Sequence, residues 1–170
     1  MRNEQMATDT VHSASTPEWR SGLPFAVVGS ACIVAGGLIS AIAAPSASEN
    51  SSWAVAYLVL IGGVAQVVVG VSQSRLAPRR LSPAFLLAEF LTWNLGNVAV
   101  IAGQLLGYQF VVDAGGVVLG SSLVLLLAGV RGVLPRVAWE RRSLYAYRLI
   151  LLIVLVSIPI GLVIGHLKSA

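Results

Sequence analysis

Five stretches of this chain, 21–48, 50–74, 90–112, 114–130 and 149–167, contain no Asp, Glu, Lys or Arg. Every run but the fourth reaches the ~18 residues that a helix needs to cross hydrocarbon, and the fourth falls short by one. With 56% hydrophobic against 11% charged residues, the balance is that of a membrane protein, not a water-soluble domain. The runs are continuously apolar and lack the alternation of barrel strands, so each is expected to satisfy its own backbone as a helix. The expected fold is all-α: a polytopic transmembrane bundle of five helices, at about 23–44, 53–72, 84–107, 114–134 and 144–165, forming a membrane domain over 20–170. Residues 1–19 are polar and aperiodic and read as a flexible cytoplasmic tail. Five spans use most of the 170 residues, so no appended soluble catalytic or nucleic-acid-binding module is expected.

The formal charge of +4 invites a nucleic-acid partner until the basic residues are placed. Arg2 and Arg20 precede the first span, Arg75, Arg79 and Arg80 fall between the second and third, and Arg131, Arg136, Arg141, Arg142 and Arg148 surround the join of the fourth and fifth. The loops 45–52 and 108–113 contain no Lys or Arg. Ten of the eleven basic residues therefore share one side, Lys168 being the exception. By the positive-inside rule that side is the cytoplasm, with the amino terminus inside and the carboxyl terminus outside. No nucleic acid is expected as a partner; anionic lipids at the cytoplasmic face are. Arg outnumbers Lys ten to one in an Ala-, Gly- and Val-rich chain, a bias expected of a GC-rich bacterial genome, and the expected location is the bacterial cytoplasmic (inner) membrane.

One cysteine, Cys32, excludes an intramolecular disulfide and a cysteine metal cluster. Ala41-Ile42-Ala43 resembles a signal-peptidase site, but the apolar run before it is longer than a signal h-region. A shift of 67 residues aligns Gly29, Ala35, Gly36 and Leu38 with Gly96, Ala102, Gly103 and Leu105, the pattern of a duplicated two-helix unit with a fifth helix added.

Chemistry is sparse. His12 lies in the tail and His166 at the outer edge, which leaves no histidine pair for a haem. There is no P-loop, dinucleotide-binding glycine pattern or Cys-x-x-Cys, and no nucleophile with a base at matching depth. The expectation is a non-enzyme with no metal and no cofactor.

The most informative span is the third. At 100° per residue Glu89, Trp93, Asn97 and Gln104 fall within an arc of about 80°, so one side of this helix is polar. A carboxylate facing lipid is costly, so Glu89 is expected to face protein or water. Counted at ~1.5 Å per residue from the cytoplasmic ends, Glu89 is about 8 Å deep, Arg148 about 6 Å, Arg131 about 5 Å and Gln66 about 9 Å. These four polar groups are expected to share a layer, with Glu89 paired to Arg148 or Arg131. Asn97 and Gln104 are expected to hydrogen-bond to other helices. Small residues spaced by four, Gly103 and Gly107, Gly116 and Gly120, Gly161 and Gly165, suggest close helix packing. The segment around Arg136, Trp139, Arg141 and Arg142 reads as a topology determinant that contacts anionic lipid.

With catalytic groups absent and packing features abundant, the chain is expected to be an accessory or assembly subunit of a bacterial membrane complex, associating with another membrane protein or with itself. The alternative, resting on the polar stripe, is a proton- or cation-linked small-solute transporter or channel centred on Glu89 and working as an oligomer.

Overall fold

The computed structural model of the chain describes residues 22–46, 48–76, 81–135 and 137–169. The 1–19 tail, Arg79, Arg80 and Arg136 lie outside the described residues, as do the surroundings of Gly165 and Lys168. Among the described residues the chain is all-helical, and five helices are long and apolar enough to cross a membrane. They are α1 (Leu23–Ala43), α2 (Glu49–Leu76), α3 (Pro83–Leu106), α4 (Gln109–Gly129) and α5 (Ala138–Ser169). A multi-pass membrane protein is thus the architecture that sequence and structure share.

Local chemistry sets the helix ends. α1 runs into a 3-10 turn at Ala44–Ser46. α2 opens on a capping box in which the Ser48 hydroxyl accepts from the Ser51 amide and the Ser51 hydroxyl from the Ser48 amide, and Glu49 suits the positive end of the helix dipole. Its middle, Leu58–Ala65, is wound as a π-helix, and Gln66 stands where the α-helix resumes. Ser82 caps α3 by accepting from the Phe85 amide, with Pro83 in the first turn. α3 ends on Gly107, whose φ of 73° admits glycine readily, and α4 begins two residues later. α4 therefore starts five residues before the expected position and stops at Gly129, five before the expected end. Asp113 had suggested a loop, but it belongs to the first turns of α4, and a second positive-φ glycine, Gly132 at 74°, turns the chain back beyond Val130.

The first four helices form two hairpins, each closed by glycine. In α1–α2, a Cβ on Gly29 would stand 2.8 Å from the Gly63 carbonyl oxygen, and one on Gly63 would stand 3.2 Å from the Gly29 oxygen. In α3–α4, a Cβ on Gly96 would meet the Leu119 amide at 2.8 Å, one on Gly103 the Val112 amide at 2.7 Å, and one on Gly115 the Val100 amide at 2.8 Å. Such backbone-on-backbone contact replaces the hydrophobic drive that lipid removes. The four glycines matched by the 67-residue shift, Gly29, Gly36, Gly96 and Gly103, all lie at these intra-hairpin contacts. α5 covers α4, setting Ile158 and Leu162 against Gly116 and Leu155 against Gly120. Between the hairpins, Phe25 of α1 meets Phe90 of α3 edge-to-face at 5.4 Å. The apolar core gathers Phe25, Val69, Trp93, Leu123, Leu126, Val130, Tyr147 and Leu151, toward the arginine-rich end.

Two glycines expected to pack do otherwise. Gly107 has nothing near its Cβ position and serves as a left-handed cap. Gly161 is exposed and likewise faces open space, because α5 meets α4 through Leu155, Ile158 and Leu162, and Gly161 falls off that face.

Candidate functional site

α2 and α3 run antiparallel along the junction of the two hairpins, and the side chains they exchange there are polar. Glu89 is fully buried, with 0% of its surface accessible. The Gln73 amide donates to both of its carboxylate oxygens, Nε2 lying 2.8 Å from Oε1 and 2.7 Å from Oε2. Farther along the junction the Gln66 amide, also at 0% exposure, donates to Asn94 Oδ1 at 3.2 Å. These two rungs lie seven residues apart on α2, one face of that helix, and five apart on α3, where Glu89 and Asn94 leave the helix about 140° apart. Trp93, one turn beyond Glu89, is buried as well.

The other two helices close the seam. Ser122 of α4 donates to the Glu89 backbone carbonyl at 3.2 Å. Gly129, near the end of α4, faces the Gln73–Glu89 pair, since a Cβ there would lie 2.9 Å from Gln73 Nε2 and 3.2 Å from Glu89 Oε1. The missing side chain makes room for the pair. From α5, Tyr147 is buried within electrostatic reach of Glu89.

The expected arginine partners are elsewhere. Arg148 Nη2 donates to the Val130 carbonyl at 2.7 Å, satisfying one of the backbone groups left open where α4 ends. Arg131 is exposed in the turn that follows, its amide bonded to Ala128 O. Arg148 thus meets an open carbonyl, and neither guanidinium lies within 4.0 Å of the buried carboxylate. At the opposite end of the bundle His166 Nε2 lies 3.3 Å from Asp113 Oδ2. Gln66 belongs to the rung beyond Glu89, so the four groups do not form one layer. Gln104 is exposed in the last turn of α3, at the end of the bundle, and does not join the stripe. Asn97 is buried, but its amide donates to Trp93 O on its own helix at 2.8 Å.

Sequence reasoning missed Gln73, Asn94, Ser122 and Tyr147. The seven-residue spacing of Gln66 and Gln73 was the available signal, and it was lost because the second helix was ended at about residue 72.

Four buried polar atoms have no hydrogen-bond partner among the described residues: Gln66 Oε1, Trp93 Nε1, Asn97 Oδ1 and Tyr147 OH. Leaving one such atom unpaired costs about 1–3 kcal/mol, and soluble cores tolerate few of them. Here all four belong to α2, α3 and α5, the helices that meet around Glu89. No family model, curated protein or solved structure matches the chain.

Proposed function

We propose that this chain is a proton-linked carrier or channel for a small solute in the bacterial cytoplasmic membrane, and that Glu89 is its proton-binding group. The carrying observation is a fully buried carboxyl whose partner is an amide and not a guanidinium. A buried carboxylate needs a counter-charge, and a proton or small cation is the simplest one that can come and go. The unpartnered atoms of Tyr147, Trp93, Gln66 and Asn97 supply donors and acceptors on the helices that meet around it. The arginine distribution supports an inside amino terminus and an outside carboxyl terminus. The test is proton flux into vesicles that contain a pH-sensitive dye, driven by a potassium diffusion potential. Wild-type protein should acidify the lumen and Glu89→Gln should not; equal flux in both would remove Glu89 from the mechanism.

A second role, as an accessory subunit, is favoured by a cleft of about 450 Å³ at the outer end of the α1–α2 hairpin, lined by small residues including Gly37, Ser40, Ala44, Ser52 and Ala56. Small side chains allow a partner helix, or the same helix of another copy, to approach closely. A stoichiometric membrane protein retained through mild-detergent purification, and lost in Ser40→Leu, would support that role.

A further inference from the structure

At the arginine-rich end a second cleft, of about 510 Å³, opens between three helices. Gly22, Leu23 and Ala26 of the α1 start form one wall, Ser74 and Arg75 of the last turn of α2 another, and Trp139 of the first turn of α5 the third. We propose that this cleft binds the phosphate of an anionic phospholipid, with Arg75 as its principal contact.

Arg75 is exposed and has no hydrogen-bond or ion-pair partner among the described residues, so its guanidinium is free to take a phosphate in its forked geometry. Trp139 is 61% exposed and stands where a span leaves its apolar stretch, the level at which indole rings meet headgroups. No side chain caps α1, so its first turn, which carries the Leu23 amide, adds a partial positive charge on the same wall. The cleft also continues into lipid-facing surface. On α1, Leu23, Val27 and Val34 are exposed along one side; on α2, Val64 and Val68 are exposed and lead to Arg75. An anion with apolar chains fits both parts of this surface, whereas a soluble phosphate fits only the head of it. The site is separate from the Glu89 seam, and its failure would leave the proton-linked role untouched.

Native mass spectrometry of the full chain in mild detergent, with phosphatidylglycerol or phosphatidylcholine added, tests the site. Wild-type chain should retain one phosphatidylglycerol, with phosphatidylcholine retained far less. Arg75→Ala should lower retention roughly tenfold, the scale of one charged hydrogen bond. Arg75→Lys should keep most of it, and Arg131→Ala, an exposed arginine outside the cleft, should match wild type. Equal retention of the two lipids, loss of retention equally in Arg131→Ala, or no effect of Arg75→Ala would overturn the proposal. Displacement of the lipid by an equal concentration of inorganic phosphate would make the ligand a free phosphate and overturn the lipid assignment.

Discussion

Inside each hairpin, backbone lies against backbone, while along the junction between the hairpins polar side chains meet. In α3–α4, Gly96, Gly103 and Gly115 bring the two chains so close that a single methyl would collide with main-chain atoms. Along α2–α3 the contacts are Gln73 with Glu89 and Gln66 with Asn94, flexible groups whose ends can move without the helices separating. Close glycine contact is all-or-none, because packed backbones have nowhere to go. Side-chain hydrogen bonds can be rearranged one at a time. A bundle of two rigid hairpins with a polar seam between them therefore concentrates its adaptable contacts in the seam, where the carboxyl lies.

The largest effect should come from the rigid part. Gly96→Ala places a methyl 2.8 Å from the Leu119 amide nitrogen and 3.0 Å from its Cα. Prising the hairpin apart should cost about 3 kcal/mol, the upper range for overpacking, measured by unfolding in mixed detergent micelles. A loss of less than about 1 kcal/mol would mean that the hairpin interior is as yielding as the seam.

Next in size is Glu89→Leu, which strands the buried Gln73 amide without an acceptor and should cost about 2 kcal/mol. Adding Gln73→Leu should return part of that loss, since removing both partners leaves no stranded group. A double variant as unstable as the sum of the two single ones would show that the pair does not act as a unit.

At the second rung, Gln66→Leu removes one interhelical bond, and about 0.6 kcal/mol is the expected average for such a bond in a membrane. A cost near that of Glu89→Leu in the same unfolding assay would put the two rungs on an equal footing. Smallest of all, Gly161→Ala should leave unfolding unchanged within about 0.5 kcal/mol, because nothing lies within 4 Å of the added methyl. A clear loss there would bring α5 into the glycine-packed part of the molecule.

Much of the fold was legible because it depends on composition and period. The third helix, expected at about 84–107, lies within a residue of that at each end, and the 100° arc put Glu89, Trp93 and Asn97 on the buried side. Gln104 shares that arc and is nevertheless exposed, since an arc says nothing about where along a helix the neighbours stop. The partner of Glu89 was not legible. Depth counting set Arg131 and Arg148 near the acid, but each could bind at the end of α4 or reach water, and only packed coordinates show which alternative each took. Gln73 was overlooked for the opposite reason: it fell at the start of the basic stretch 73–83, which looked like a loop outside the membrane, while the helix itself continues to Leu76.

From the sequence alone came the helix count, the arginine-rich end and the need to shelter one carboxyl group, because hydrocarbon penalises every unpaired backbone group and every exposed charge wherever it lies in the chain. Tertiary structure decided which helices pair as hairpins, which glycines touch, and that an amide rather than a guanidinium meets Glu89. Those outcomes depend on the rotation and register of one helix against another, quantities that arise only when the surfaces are brought together.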